Sequence, residues 1–358
     1  MKINIFTPPK FEKQPLDIEN LNNITNKSWQ YSVNGRSSIY HILKDLKINK
    51  ILIPAYICSS VLEPLKKLNI KPIFYDLDIR DLNPSLESIK KLSKKYDVKA
   101  VLVASMYGNP ANLVEIEDYC KNNSIFMIDD AAQSFGAKLD GRFVGTFGDA
   151  GFFSFSPGKP TAGHMGSFFW SAKKVNIKRT KHCLLHYLKW LDFYFNRLNI
   201  YRFGKKFRLL TYINIILLKV FNLINDKICD FEKNILGGIL SSNLNNKFIF
   251  RQRYIDEFIN ISSKSKNFRA IKHIRGIPNN HKIVVLFYNQ NRANEFIGFM
   301  LNSNIYASNG YMLLTSDLKE LPNCKMIDKC VVELPVESNE DRMKYLFKKV
   351  REFEDKNS

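Results

Sequence analysis

A chain of 358 residues with 45% apolar side chains can bury a large core and form two domains, or a large domain with a smaller one. Its 54 Lys plus Arg outweigh 34 Asp plus Glu to leave a net charge of +20, large for an enzyme and unevenly placed. Six cysteines (Cys58, Cys120, Cys183, Cys229, Cys324 and Cys330) show no CxxC or metal-type spacing, so a zinc module is disfavoured, no metal is expected and the thiols are expected to be reduced. Met1-Lys2-Ile3-Asn4 is not followed by a signal-peptide h-region, which points to a cytoplasmic location.

In chain order, Asn34-Gly35 precedes a run from Arg36 to Leu46 that reads as a helix, with Ser37 and Ser38 near its first turn. Free backbone N–H groups and the positive end of the helix dipole favour a phosphate there, and Gly35, Arg36 and Ser37 are the candidates to hold it. Ser124 to Ile128 is a short apolar run after a helical stretch ending near Asn122-Asn123. It puts Asp130 at the C-terminal end of a strand, where ligands bind in open α/β sheets. A second short strand, Gly148 to Phe155, leads into Ser156-Pro157-Gly158-Lys159-Pro160, a loop rich in Gly and Pro.

Lys159 and Asp130 together suit pyridoxal phosphate. That cofactor needs an amine to hold its aldehyde as a Schiff base and a carboxylate to keep its ring nitrogen protonated, so that the ring withdraws electrons from the substrate carbon. Gln133 lies one helical turn after Asp130, on the same side if a helix starts there, and offers a polar contact to the ring hydroxyl. Singly, each residue has a plainer reading as a surface charge or a helix cap; the strand ends give them a common place.

Asp129-Asp130-Ala131-Ala132-Gln133-Ser134-Phe135-Gly136-Ala137, Gly145-Thr146-Phe147-Gly148-Asp149-Ala150 and Ser154-Phe155-Ser156-Pro157-Gly158-Lys159 resemble the DegT/DnrJ family of sugar aminotransferases. Asn34 to Ser38 resembles the family's phosphate-binding turn, and Ile53 to Tyr56, Pro72 to Asp78 and Met106 to Pro110 resemble further strand ends. The similarity is dense over residues 30–170 and looser over 225–355. It implies an α/β protein of the aspartate-aminotransferase fold, with a large, mostly parallel sheet domain (residues 1–225) and a smaller C-terminal α+β domain (226–358). It also implies a homodimer that moves an amino group, from glutamate, to a keto sugar, commonly nucleotide-linked, in surface-polysaccharide or amino-sugar synthesis. By resemblance, Ser154 adds a hydroxyl to the phosphate cradle and Asn225 reaches the cofactor phosphate from the neighbouring subunit. Cys58 stands where the family places a ring that stacks on the cofactor, leaving Tyr56 as a substitute or a looser hold. Ser105 stands where many relatives carry His, and His164 follows the lysine as a further candidate acid or base. Dehydratases of the same fold replace the lysine with His, and here Lys159 is present. A relative that no longer catalyses and serves as a membrane-associated scaffold is the alternative, disfavoured because such a protein has no reason to keep Lys159, Asp130 and Gln133 together.

Half of the net charge lies between Ser171 and Leu210, where eleven Lys or Arg face one acid, Asp192, among eight aromatic residues. Leu209 to Ile224 follows as an amphipathic stretch whose polar members fall within about 140° of helix arc, too short and too polar to span a bilayer. The segment from Lys173 to Ile224 can pack on the protein, lie on an anionic membrane surface or cradle a nucleotide diphosphate. Nucleic acid is not expected as a partner, since no recognition motif accompanies the charge.

Overall fold

The computed structural model describes residues 17–156, 158–161, 166–175, 177, 237, 244–337 and 339–356. The expected domain boundary at 225, Asn225, His164 and nearly all of the basic segment lie outside these residues. In chain order the first half carries α1 (Ile18–Thr25), β1 (Gln30–Ser32), α2 (Gly35–Leu43), β2 (Lys50–Pro54), α3 (Leu62–Lys67), β3 (Lys71–Tyr75), α4 (Leu86–Tyr96), β4 (Ala100–Ala104), α5 (Leu113–Asn122), β5 (Phe126–Asp130), the hairpin β6 (Lys138–Leu139) and β7 (Arg142–Phe143), β8 (Ala150–Ser154) and β9 (Ser167–Ser171). Seven of these strands form one sheet in the order β1-β9-β8-β5-β4-β2-β3. The five from β8 to β3 run parallel; at one edge β9 runs against them, and β1 beyond it pairs antiparallel with β9 and so runs with the five.

The second half begins with α6 (Leu244–Ser262) and adds β10 (Phe268–Ala270), β11 (Lys282–Phe287), α7 (Gln290–Asn302), β12 (Ser308–Asn309), α8 (Pro322–Ile327), β13 (Val331–Pro335) and α9 (Glu340–Asp355). Its four strands pair antiparallel in the order β10-β11-β13-β12. The mixed α/β class and the large, mostly parallel sheet agree with the sequence reading.

Side chains alternate across a strand, and the central strands β2, β4, β5 and β8 are buried on both faces of the large sheet, so they are mostly apolar. Ile51, Ile53, Leu102, Ala104, Ile128 and Phe152 join one core, while Leu52, Val101, Val103, Met127 and Phe153 join another. β5 begins at Phe126 and not at Ser124. Ser124 has a left-handed φ of 53° and Ile125 gives its N–H to Cys120 at the end of α5, so both residues belong to the turn. The strand therefore runs through both acids, and alternation sends them to opposite faces: Asp130 follows Ile128, and Asp129 follows Met127.

Asp129 is a fold residue. Its Oδ2 accepts from the N–H groups of Gly145 (2.6 Å) and Phe147 (3.1 Å), while Gly148 N–H donates to Glu117 and Met127 N–H to Asp149. The motif from Gly145 to Asp149 is thus a clasp between β5, α5 and β8. Gly145 sits at φ +97°, where a Cβ would stand 2.5 Å from the Phe153 ring. Burial pushes the Asp129 carboxyl up to about 8, opposed by those two N–H groups, and its Oδ1 has no partner among the described residues.

A carboxyl whose pKa is raised by folding keeps a proton that the unfolded chain releases near pH 4, so its contribution to stability falls as pH rises from about 4 to about 8. Asn at this position keeps an acceptor oxygen without the charge. Asp129→Asn is expected to flatten the decline of Tm between pH 5 and 8 by at least about 3 °C relative to the parent. Parallel curves in thermal melts across that range would show that Asp129 is already ionised in the folded protein.

Candidate active site

The C-terminal ends of β4, β5 and β8 open into a cavity of about 450 Å³, within the range of small-molecule sites. Its floor follows from the same alternation that parted the two acids. Ala104 pairs with Asp130 and Asp130 with Phe152, and Ser154 lies two residues beyond on the same face; all four line the cavity. Gly158 and Lys159 reach it from the loop after β8, and Asn34, Gly35 and Arg36 from the start of α2.

Asp130 is buried, its Oδ1 accepting from Ala132 N–H at 2.9 Å. Burial pushes its carboxyl up to about 6, while that N–H and the Lys159 charge limit the rise. Burial likewise pushes the Lys159 ammonium down from its usual range, and the Asp130 carboxylate pulls it back. The two groups therefore stabilise each other's charge across the cavity. Gln133 also lines it, though held by a turn and not by the helix the sequence suggested: its Oε1 accepts from Tyr107 N–H at 3.1 Å.

At the helix end, Asn34 caps α2 by accepting from Ser37 N–H at 3.0 Å, which starts the helix one residue earlier than expected. The other end of the same amide, Nδ2, is buried without a partner among the described residues although Asn34 lines the cavity. Beside it, a Cβ on Gly35 would come within 3.2 Å of the Phe152 ring, so a side chain there would crowd the space. An unpartnered donor, the first-turn N–H groups of α2 and the Ser154 hydroxyl on one wall fit an anion such as phosphate. Ser37 itself is fully buried and does not line the cavity, so its part is the backbone N–H that Asn34 takes. Arg36 is at the wall but bonds both oxygens of Glu63 at 2.8 Å.

Tyr56 does not stack over the cavity in place of Cys58. It is buried, with its hydroxyl 2.8 Å from that of Tyr107 and accepting from Tyr311 N–H at 2.9 Å. Cys58 lies on the wall, its Sγ 3.1 Å from the Ser60 hydroxyl. Ser105 also lines the cavity, and its Oγ accepts from Ala111 N–H at 3.1 Å.

The second half of the chain completes the wall with residues that the sequence reading did not single out. Tyr311 and Lys282 line the cavity, Lys282 ion-paired with Glu333. Asn279 donates through Nδ2 to the carbonyls of Gln133 (2.9 Å) and Phe135 (3.1 Å), docking the small sheet on the turn that holds Gln133. Next to it, burial holds His281 well below its usual range and therefore neutral. The available signal was the polar run Asn279-Asn280-His281-Lys282 set against the apolar strand Ile283 to Phe287.

The model of the DegT/DnrJ/EryC1/StrS aminotransferase family matches residues 32–211, half of the chain. GDP-perosamine synthase of Escherichia coli O157:H7 is 29% identical over 153 residues, 42% of each chain. GDP-4-keto-6-deoxy-D-mannose 3-dehydratase of Escherichia coli O55:H7 is 34% identical over 108 residues, 30% of this chain and 28% of that one. These alignments span less than half the length of the curated relatives. In fold, the chain is similar to the aminotransferase TlmJ from Streptoalloteichus hindustanus (TM-score 0.76, 14% identity, 98% of both chains). It is equally similar to Helicobacter pylori PseC, an aminotransferase involved in the biosynthesis of pseudoaminic acid (TM-score 0.76, 12% identity, 99% of this chain and 100% of that one). A cavity at the strand ends that joins a lysine, a buried carboxylate and an anion cradle, and a family match that runs through all three, have one reading: the chain belongs to the DegT/DnrJ/EryC1/StrS aminotransferase family.

Proposed function

We propose that this protein is a pyridoxal-phosphate-dependent aminotransferase that moves an amino group, from glutamate, to a keto sugar carried on a nucleotide, in amino-sugar or surface-polysaccharide synthesis. The observation that carries the reading is the convergence of Lys159 and Asp130 on one cavity whose far wall is a helix N-terminus with an unpartnered Asn34 amide. Several relatives share the chemistry in their names, among them a dTDP-4-dehydro-2,3,6-trideoxy-D-glucose 4-aminotransferase of Saccharopolyspora spinosa. Lys159, where dehydratases of this fold carry His, supports transfer over dehydration. The same residue, with Asp130 and Gln133, speaks against a non-catalytic scaffold.

The bound cofactor would supply an electron-withdrawing ring conjugated to an aldehyde. Asp130 would keep a proton on the ring nitrogen, and a positive partner there would in turn draw the Asp130 carboxyl down from its raised value. The Asn34 amide, the first-turn N–H groups at Gly35 and Arg36, and the Ser154 hydroxyl would receive the phosphate. Lys159, whose amine is made more basic by Asp130 and less by burial, would take and return a proton at the substrate carbon that carries the amino group. Gln133 would turn a polar group to the ring hydroxyl. In a two-fold dimer, Asn225 of the second copy would add its amide to the phosphate.

Lys159→Ala is expected to remove the visible absorption and borohydride labelling of the lysine-bound cofactor and to lower turnover by at least about 10⁴-fold. Asp130→Asn should keep cofactor yet lose roughly 10²–10³-fold in turnover, with Asp129→Asn closer to the parent. Absorption that survives Lys159→Ala, or labelling at another lysine, would overturn the assignment.

We further propose that the segment from Lys173 to Ile224 rests on an anionic membrane surface from the cytoplasmic side. What supports this is its charge: each exposed Lys or Arg gains about 1 kcal/mol near anionic headgroups, an attraction screened over roughly 8 Å at physiological salt. Among the described residues, no helix is long and apolar enough to cross a membrane. The expected result is co-sedimentation with anionic and not neutral vesicles, weakened by salt and by changing Lys205, Lys206 and Arg208 to Glu. Equal recovery with both vesicle types would leave packing or nucleotide binding to account for the charge.

A further inference from the structure

One pair of charges at the cavity is not used by the chemistry above. Lys282 opens β11 and Glu333 lies in the middle of β13, and both are almost fully buried, with side-chain exposures of 9% and 7%. In the β11–β13 register Lys282 stands opposite Pro335 and Val284 opposite Glu333, so the two charged residues are diagonal neighbours on one face. That face is turned to the large sheet. Val284, Leu286 and Val331 share it and join the core that contains Ile128 and Phe152, whereas Ile283, Val285, Val332 and Leu334 point to the core of the small sheet.

Stability of the fold does not account for the pair, because a buried ion pair is commonly no better than apolar side chains of the same volume. The cavity needs positive charge for another reason. Three cationic residues line it among those described, Arg36, Lys159 and Lys282. Arg36 gives two hydrogen bonds to Glu63, and Lys159 is committed to the cofactor. Lys282 has three ammonium hydrogens and one carboxylate partner, and its Nζ lies 6.0 Å from the centre of the Tyr107 ring. Of the three, it is the buried cation to which the chemistry above gives no part, and two of its ammonium hydrogens remain beyond the Glu333 contact.

We infer that Lys282 is the receptor for a carboxylate on a substrate of this site, with Glu333 holding the ammonium in place and moderating its affinity. The inference rests on the aminotransferase reading. A carboxylate can arrive from either side of such a reaction, on the amino-acid donor or on an acidic sugar.

The test uses the cofactor-loaded protein and two non-reacting probes, glutarate for the donor and galacturonate for a sugar acid, titrated by calorimetry and by the shift of the cofactor absorption. Replacing the pair together, Lys282→Met with Glu333→Leu, leaves no buried charge unpaired. It should weaken one probe by about tenfold or more without changing cofactor content, the size expected for losing a hydrogen bond to a charged group. Weakening of glutarate assigns the donor, and weakening of galacturonate assigns an acidic acceptor. Lys282→Arg, which retains the charge in a larger planar group, should lose less affinity than the double variant. Glu333→Gln, which removes the competing carboxylate, should tighten the same probe, an effect that a merely structural role would not produce. Unchanged affinity for both probes in the double variant, or weaker binding in Glu333→Gln with Tm unchanged, overturns the inference while leaving the aminotransferase reading intact. A parent protein that takes up no cofactor overturns both.

Discussion

A carboxylate buried at the end of a parallel strand needs positive charge close by, and in this protein the attraction between Asp130 and Lys159 meets that need. Burial pushes Asp130 up to about 6 and Lys159 down from its usual range, and each limits the shift of the other. The pair is poised and not inert: a carboxyl near 6 responds to any cation that enters, and a lysine with lowered pKa gives up its proton more readily. The rest of the large sheet serves this placement. β4, β5 and β8 are mostly apolar because both faces are covered, and their polar members Asp129, Asp130 and Ser154 gather at the C-terminal ends, beside the Lys159 loop.

The two adjacent aspartates show how far a sequence motif can be read. Asp129 and Asp130 are the same residue type, one peptide apart, and belong to the same resemblance. Period-2 alternation alone separates them, one to a clasp of backbone N–H groups and the other to the cavity. Because the strand was recognisable, the place of Asp130 at a strand end was legible; because its limits were two residues off, the clasp was not. Gln133 carries the same lesson in reverse. It reaches the cavity through a turn fixed by Asn279, where the sequence suggested a helix, since nothing local announces a hydrogen bond made across 146 residues.

The helix N-terminus proposed to receive phosphate was legible in position and less so in its atoms. Asn34-Gly35 and a following helix mark a helix N-terminus, which is enough to expect an anion there. The sequence could not show that Ser37 turns inward or that Arg36 is held by Glu63, 27 residues away. The residue with the open donor proved to be Asn34, whose side chain has two ends: the oxygen satisfies the helix and leaves the nitrogen for the cavity.

The small sheet was the least legible part, and the reason is geometric. Its contributions to the cavity come from single residues, Lys282 on one strand and Tyr311 after another, with Glu333 on a third paired to Lys282 from behind, each surrounded by sequence that reads as ordinary core. Such residues become visible only when pairing register and the docking of the two sheets are known together. Docking is itself polar at the point that matters: the Tyr56 hydroxyl bonds Tyr107 in the large sheet's loops and accepts from the Tyr311 backbone, and a Cβ on Gly310 would fall 1.8 Å from that hydroxyl. Hydrogen bonds of this kind fix distance and angle where apolar contact fixes only area. The large sheet therefore carries Asp130, Ser154 and the Lys159 loop, and the small sheet, joined to it by a few buried polar contacts, brings Lys282 and Tyr311 to the same cavity.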